Sequence, residues 1–372
     1  MKSVKEYGAI GNGIADETKA FLAALNSEEP EISIPEGEYL IFDTLYIPSN
    51  KTIIADKNAL IKCADECFQK ETSFLLCNKD KENGNQNITI RGGIWDGNNI
   101  NNMCTTYCTG AQTGVLLDFI NVDGLEISDV VLQNSERFHI RINQVTHFTF
   151  TNIYFNDTQL RPCNDGINMG GFCEFGTIKG IRARCGATND DLIAMNADDT
   201  PLYCMNRGRK IGFIRNITIE DVYAENVYTA VRMLSVTSEI SNITIKNLHC
   251  GIREYGLNLD ASRYCEDPFF NDADYPDGVG NMHDIYLEDI TLYKTEKSSR
   301  PICTFETNVE NFVIKNMKFI DNQFHALGKP SFVFAHMRKS NMELNGEAIT
   351  IPAQQPKEIF ENQIKLMKIN AK

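Results

Sequence analysis

The sequence has no basic cluster and no long apolar run. Its 36 Lys and Arg are outnumbered by 50 Asp and Glu, which gives a formal net charge of −14. Because nucleic-acid-binding surfaces are strongly positive, this balance argues against a nucleic-acid partner. No stretch approaches the roughly 18 consecutive apolar residues that a membrane span needs, so no membrane partner is expected.

The start of the chain also lacks the apolar segment of a signal peptide, and as written this predicts a cytoplasmic protein. If a signal had been removed, the protein would be secreted, and its 12 cysteines would need rereading as disulfides. The pairs Cys63 with Cys67 and Cys104 with Cys108 have no nearby His and are spaced more widely than zinc knuckles. Reduced thiols packed as small apolar residues are favoured, and neither a metal nor a cofactor is expected.

Long helical periodicity is scarce, whereas asparagine is abundant, with 37 residues. A short phrase of alternating apolar residues begins at eight positions, namely Asn87, Gly124, His147, Phe175, Asn216, Asn242, Asp284 and Asn311. Successive starts are 37, 23, 28, 41, 26, 42 and 27 residues apart, so a unit of 23 to 28 residues recurs with three longer intervals. A recurring unit of this length indicates a solenoid.

Each unit contains two or three runs with period-two alternation, separated by Gly, Asn and Asp, which is typical of strands and turns. The Leu spacing of leucine-rich repeats is absent and β-branched residues dominate, so coils of parallel strands are the better interpretation. Asn side chains at equivalent turns are expected to form ladders. The fold class predicted is therefore all-β, a parallel β-helix.

A single domain over residues 1–372 is expected. It divides into an N-terminal cap and first coils (1–60), main coils (61–325) and a C-terminal coil and cap (326–372). Residues 16–25 predict a capping helix with Asp16 as N-cap. At the other end Ile359, Phe360, Ile364 and Met367 are spaced on one side and predict a second helical cap, with a partner-binding helix as the alternative.

Three segments resemble a known superfamily: YGAIGNGIADETKAF (7–21), ISIPEGEY (32–39) and NITIRGGIWDG (87–97). They are similar to the pectin-degrading right-handed β-helix proteins and, more narrowly, to the polygalacturonases of glycoside hydrolase family 28, over roughly residues 5–320. The resemblance implies a right-handed parallel β-helix. Lyases, hydrolases, epimerases and phage tailspikes share these opening motifs, so the chemistry must be inferred from the carboxylates.

Alignment of the units on their inward apolar pairs places six residues in one outward column: Asp118, Arg141, Asn168, Ala194, Arg232 and Asn258. Asp165 and Asp191 each precede their apolar pair by two residues, and Asp190 by three. The three carboxylates are therefore expected together at one edge of this column. Asn164–Gly166 and Asn189–Asp191 are also ordinary turn sequences, but their shared phase favours a site.

Hydrolysis of a glycosidic bond needs a protonated carboxyl and an ionised carboxylate, which inverting enzymes hold about 6.5–9.5 Å apart. A diagonal step between neighbouring coils spans roughly 6 Å, which side-chain directions can widen. Three adjacent acids also repel one another, and this raises the pKa of one of them. The sequence thus predicts an inverting glycoside hydrolase with Asp165, Asp190 and Asp191 as its catalytic residues.

The polygalacturonase pattern consists of Asn-x-Asp-Gly, two adjacent Asp one coil later, Gly-His-Gly and Arg-x-Lys. By resemblance, Asp190 is the general acid, Asp165 and Asp191 position water, and Arg232 holds a sugar carboxylate. This chain has Cys163 at the Asn position, Leu234 at the Lys position and no His between residues 191 and 232. These departures put uronic-acid specificity in question and open the way to a neutral, amino or deoxy sugar.

The residues expected to bind substrate are Arg232, Asn168, Arg141, His139 and Asn258. An insertion after the acids, with Tyr203, Arg207 and Arg209, is expected to overhang the groove. The expected partner is a pectin-like or related oligosaccharide, and a homo-oligomer is left open. Two alternatives remain. One is a polysaccharide lyase or epimerase whose acids hold Ca²⁺. The other is a non-catalytic carbohydrate-binding or trimeric fibre protein.

Overall fold

A computed structural model of the chain describes residues 1–67, 74–104, 113–199, 203–261, 276–324, 332–335, 337–349, 359–361 and 367–370. These residues form 26 strands in one continuous sheet, the helix α1 (Thr18–Leu25) and two 3₁₀ turns (Val4–Tyr7 and Cys204–Asn206). The strands are β1 (Lys2–Ser3), β2 (Asn12–Asp16), β3 (Glu31–Ile34), β4 (Gly37–Ile41), β5 (Leu45–Ile47), β6 (Lys51–Ala55), β7 (Ala59–Cys63), β8 (Phe74–Asn78), β9 (Asn85–Arg91), β10 (Ile94–Asp96), β11 (Val115–Ser128), β12 (Val131–Gln133), β13 (Ile140–Phe155), β14 (Ile167–Met169), β15 (Cys173–Ala183), β16 (Asp191–Asn196), β17 (Ile214–Leu234), β18 (Glu239–Asp260), β19 (Asn281–Lys294), β20 (Cys303–Glu306), β21 (Val309–Asp321), β22 (Phe332–Ala335), β23 (Ser340–Leu344), β24 (Glu347–Ile349), β25 (Ile359–Glu361) and β26 (Met367–Asn370).

Strands pair in parallel from one coil to the next, so the chain winds into the right-handed parallel β-helix that the repeats and the resemblance predict. Side chains stack inside the coils in registered columns, one of which contains Leu117, Ile140, Ile167, Ile193, Val231 and Leu257, all fully buried. Burial of these columns along the whole solenoid is the main stabilising contribution. Antiparallel pairing occurs late in the described chain, between β22 and β25 and between β23 and β24.

The residues that begin the eight repeated phrases share one backbone conformation. All eight have a positive φ, between 49° and 79°. Non-glycine residues enter this left-handed region at a cost that is lowest for Asn and Asp, which explains the abundance of Asn. The predicted Asn ladders also form, with Asn87 donating to Asn50 at 2.8 Å and Asn242 to Asn216 at 3.2 Å. At other turns the acceptor is an Asp, as where Asn152 donates to Asp129 at 2.9 Å.

The N-terminal helix is confirmed, with its first turn displaced from the prediction. The N-cap residue is Glu17, and Asp16 instead accepts a 2.9 Å hydrogen bond from the backbone N–H of Thr18. The Glu17 carboxylate is occupied by the N–H groups of Ile10 and Gly11. Phe21 on α1 is buried in the same core as the first coils.

The helical cap predicted at the other end is wrong where the structure describes it. Residues 359–361 and 367–370 are strands, and they pair with β22 and β21. Ile364 lies outside the described residues. Strand pairing gives hydrogen-bond partners to the backbone N–H and C=O groups at this edge of the sheet. The spacing of the apolar residues alone did not distinguish strands from a helix.

The described cysteines are reduced, and most are buried, as expected of thiols used in packing; Cys108 lies outside the described residues. No helix in the described part of the chain is long and apolar enough to cross a membrane.

Candidate active site

The predicted column is confirmed by the strand register. Asp118 pairs with Arg141, and the succession continues rung by rung through Asn168, Ala194, Arg232 and Asn258. These side chains point away from the coil interior but are covered, with at most 9% of any one exposed. The cover differs between the two ends of the column.

At the N-terminal end, neighbouring segments close over the column. Lys81 and Arg141 both form ion pairs with Asp118. The Met205 carbonyl accepts a hydrogen bond from Arg141, and Asn143 exchanges two hydrogen bonds of 2.9 Å with the backbone of Lys210. Burial alone would raise the pKa of Asp118, but the two cations hold that pKa below its usual value.

One coil further on, the three predicted acids come together. The backbone N–H of Gly166 donates to the Asp191 carbonyl at 2.9 Å, so the two acidic segments lie on adjacent rungs. Oxygen atoms of Asp165, Asp190 and Asp191 all lie within 4.8 Å of one another. Asp165 and Asp191 are buried, whereas Asp190 is half-buried.

This separation is shorter than the 6.5–9.5 Å expected from the sequence. Two oxygens 4.8 Å apart still leave room for one water bonded to both, since each such bond is about 2.8 Å long. Neighbouring coils stack only about 4.8 Å apart, which brings the carboxylates together. The spacing therefore permits a water shared between two of the carboxylates.

The electrostatic prediction holds, although for a different residue from the expected acid. Burial, followed by the charges of Asp190 and Asp191, raises the pKa of Asp165 well above its usual value. Asn168 donates a 2.6 Å hydrogen bond to Asp165 and, with Arg232, partly offsets this shift. Burial and the neighbouring charges thus favour the protonated form of Asp165.

Arg232 lies beside the acids, as the column predicted, and is already paired. Its Nε and Nη2 atoms donate to the two carboxylate oxygens of Asp260 at 3.1 and 3.2 Å. Its Nη1 atom lies 3.7 Å from Asp191. The guanidinium therefore joins the acidic group to the rungs above it.

Two residues expected to bind substrate lie behind the groove instead of in its wall. His139 is fully buried, with one ring nitrogen 2.8 Å from the Asp165 carbonyl and the other 2.8 Å from Asp157. Arg141 is likewise fully buried beneath Met205. The outward phase predicted for Arg141 is right, but the overlying segment removes this side chain from solvent. His139 supports the backbone that carries Asp165.

The acids open into a groove of about 740 Å³. Its wall includes the predicted Asp165, Asn168, Asp190, Asp191, Tyr203, Arg232 and Asn258, together with residues the sequence reasoning missed, notably Tyr228, Thr229, Tyr255, Asp260, Arg300 and Glu306. Several of the missed residues are in strand register with residues that the sequence argument had already placed. Thr229 and Tyr255 are in register with Asp191 on the next two coils. Asp260 and Glu306 are in register with Leu234 in the same way.

Arg253 is a further residue that no sequence signal indicated. It is largely buried, and its Nη2 atom donates to the Thr188 carbonyl at 2.7 Å and to the Asn189 side chain at 3.3 Å. Its Nη1 atom donates to the Gly186 carbonyl at 3.2 Å. A side chain from two coils away thus supports the loop that leads into Asp190.

The same three acids are also chemically suited to a divalent cation. Carboxylate oxygens within 4.8 Å of one another match the oxygen ligands preferred by Ca²⁺ or Mg²⁺. Among the described residues, these three are the one set of acids, histidines or cysteines whose ligand atoms lie close enough together to bind a single ion. A chelator test therefore belongs with any assay of the site.

Comparison with known proteins identifies the family. The family model for glycosyl hydrolases family 28 matches residues 29–323. The chain belongs to this family. An exopolygalacturonase of Zea mays is 26% identical over 274 residues, which cover 66% of this chain and 65% of that protein. The match implied by the sequence motifs is thus confirmed at the level of family and fold.

Other relatives are of a different kind. The preneck appendage protein of Bacillus phage PZA is 36% identical over 99 residues, which are 26% of this chain but 11% of the phage protein. Among solved structures, the family 28 exopolygalacturonase of Yersinia enterocolitica matches with a TM-score of 0.64 at 12% identity, covering 92% of this chain and 69% of that one. At that identity the likeness shows the fold.

Proposed function

We propose that the protein is a glycoside hydrolase that cleaves a glycosidic bond in an oligosaccharide by an inverting mechanism. The observation that carries this is the group of three carboxylates within 4.8 Å of one another, open to a groove, in which burial and the charges of its two neighbours raise the pKa of Asp165. Glycoside hydrolysis requires a proton donor and an ionised carboxylate at one bond. Membership of family 28 supports the same reaction class.

The roles follow from exposure and position. Asp190 is half-buried on the groove wall, so it is the acid that reaches the glycosidic oxygen and gives it a proton. Asp165 and Asp191 are buried and hold the water between them. As the bond from the anomeric carbon to the leaving oxygen breaks, the water oxygen bonds to that carbon and its proton passes to Asp191. Proton exchange within the group restores Asp190.

The covering at one end of the column supports cleavage near a chain end. Met205 and Lys210 are bonded to Arg141 and Asn143, so the rungs on the N-terminal side of the acids are occupied. The groove extends from the acids toward Asn258 and Glu306. A saccharide can extend along that side, whereas the covered rungs limit the groove on the other, and this arrangement favours an exo-acting enzyme.

The test is release of reducing ends from oligosaccharides, with anomeric configuration followed by proton NMR. Asp190→Asn is expected to lower kcat by roughly 10²–10⁴-fold, the usual contribution of a positioned acid. Asp221→Asn, which removes an acid paired with Arg182 away from the groove, is the matched control. Undiminished activity in Asp190→Asn would remove that residue from the mechanism, and retained anomeric configuration would exclude inversion.

A second candidate is a non-catalytic sugar-binding protein, favoured by the similarity to the phage appendage protein. It predicts sugar binding without turnover in the wild type over days. A lyase or epimerase that uses a cation bound to the three acids is the remaining alternative. It predicts loss of activity with chelator and, for a lyase, an absorbing unsaturated product.

A further inference from the structure

We infer that the groove takes a glycoside without a carboxylate, uncharged or carrying an amine, and discriminates against uronates. This inference rests on the proposed function and specifies its substrate class. It concerns the rungs above the acids, where the wall contacts the sugar. Its first basis is the state of Arg232.

Arg232 is the cation that could bind a sugar carboxylate, and Asp260 already occupies it. The two groups form a forked pair at 3.1 and 3.2 Å, and a further oxygen of Asp191 lies at 3.7 Å. A guanidinium in this planar pairing has its strongest donors committed. Asp260 is 2% exposed and anchored in the sheet, so a uronate is left with the donors on the Nη1 side of Arg232, where the Asp191 carboxylate already lies 3.7 Å away.

The position two residues after Arg232 reinforces this. Leu234 is fully buried and offers no charge, and the next two rungs in register with it carry Asp260 and Glu306. The adjacent column continues as Asn258 and Thr304. Beyond Arg232, the strand register thus presents amide, hydroxyl and carboxylate groups, which suit sugar hydroxyls and amines as hydrogen-bond partners.

The charge of the whole wall has the same sign. Among the described residues that line the groove are six acids (Asp165, Asp190, Asp191, Asp199, Asp260 and Glu306) and two Arg (Arg232 and Arg300). Arg300 lies on the rim, 60% exposed, with its Nε 3.6 Å from Glu254. A polyanion would meet a negative field in a confined site, where like charges repel more strongly than in water.

The experiment measures binding by calorimetry to Asp190→Asn, so that turnover does not interfere. The probes are matched sets of methyl glycosides in the gluco, galacto and manno series, each as the uncharged sugar, the amino sugar and the uronate. We expect the uronate to bind at least 10-fold more weakly than the tighter of its two partners. A uronate that binds as tightly as both partners overturns the inference but leaves the proposed hydrolase standing.

The second part of the experiment removes the charged partner of Arg232. Asp260→Asn, added to Asp190→Asn, is expected to raise uronate affinity at least 10-fold. The control is Glu174→Gln, which removes the partner of Arg215 at 2.8 Å outside the groove and should change nothing. Unchanged uronate affinity in the Asp260→Asn protein overturns the account, and Asp260→Ser replaces it if the Asn variant does not fold. Absence of binding by every sugar would count against the proposed function itself.

Discussion

Two charged groups on the same outer face of the solenoid, Asp118 with its two cations and the cluster of three acids, have opposite electrostatic surroundings. Asp118 is enclosed by Lys81 and Arg141, and those cations lower its pKa. One coil beyond Arg141, Asp165 has two further acids as neighbours, and its pKa is raised. The difference shows that a shared register does not give a shared role, because the charges placed on the neighbouring rungs decide it.

The cover over the two groups differs in the same way. The first is sealed by the backbone around Met205 and by Lys81, whereas the second opens into the groove. A sealed carboxylate must be compensated, because an isolated buried charge is very costly. The three acids are only partly compensated, by Asn168 and Arg232, and such perturbed carboxyls are typical of functional sites.

The largest expected effect is on catalysis and separates the two groups. Asp191→Asn should lower kcat by roughly 10²–10⁴-fold, because the base that accepts the water proton is lost. Asn168→Ala is a weaker perturbation of the same site, since it removes the 2.6 Å hydrogen bond to Asp165. Reducing-end release measures both. Equal losses in the two variants would contradict the special role of Asp191.

The next effect is on stability and has opposite signs. Asp118→Asn should lower the free energy of unfolding by roughly 3–5 kcal/mol, because it leaves Arg141 buried without its charged partner. Asp165→Asn should raise it by roughly 0.5–2 kcal/mol at neutral pH, while abolishing activity, as relief of active-site repulsion does. Urea unfolding measures both. A destabilised Asp165→Asn would mean that its repulsion is compensated elsewhere.

The pH dependence follows from the two pKa directions. The pKa of Asp165 is raised in the folded state. Its contribution to the free energy of unfolding is therefore fully present below the pKa of the unfolded state and is lost as the pH rises through the pKa of the folded state. The pKa of Asp118 is lowered in the folded state. Its contribution to the free energy of unfolding is therefore present above the pKa of the unfolded state and is lost as the pH falls through the pKa of the folded state. The gain from Asp165→Asn should therefore grow with pH, and the loss from Asp118→Asn should shrink in acid. Parallel unfolding series at several pH values would test this, and matching slopes would refute it.

The smallest expected effect lies outside both groups, at a ladder turn. Asn152 has φ 54° and donates to Asp129, so Asn152→Ala should cost about 1 kcal/mol, the penalty of a left-handed residue with a side chain. Asn152→Gly removes only the hydrogen bond and should cost less. Neither change should alter kcat, and an altered kcat would show that the turn columns influence the groove.

Much of this molecule could be predicted from local pattern. The repeated phrases gave the solenoid, and the inward apolar pairs placed Asp118, Arg141 and Arg232 in the correct register, because the two-residue period of a strand fixes which side chains share a face. The same argument placed Asp165 and Asp191 on adjacent rungs. The phase of Asp191 also leads to Thr229 and Tyr255, so these groove residues could have been found by extending it.

The errors arise where distant segments cover a face. His139 and Arg141 were expected to bind substrate, but groups 18 and 64 residues away form hydrogen bonds with them and cover them from solvent. The spacing of the C-terminal apolar residues predicted a helix, but the described segments form strands that pair with β21 and β22. Arg253 supports the acidic loop from two coils away, and no local pattern encodes such a contact.

Periodicity and turn chemistry, read along the chain, were sufficient for the coil, its register and the meeting of three acids, because those depend on neighbours at a fixed spacing. Which carboxyl has a raised pKa, which end of the column is closed and whether Arg232 has a partner depended on the folded arrangement. Burial and charge act through space, and the groups that supply them here come from coils that the repeat alone does not bring into contact with the site.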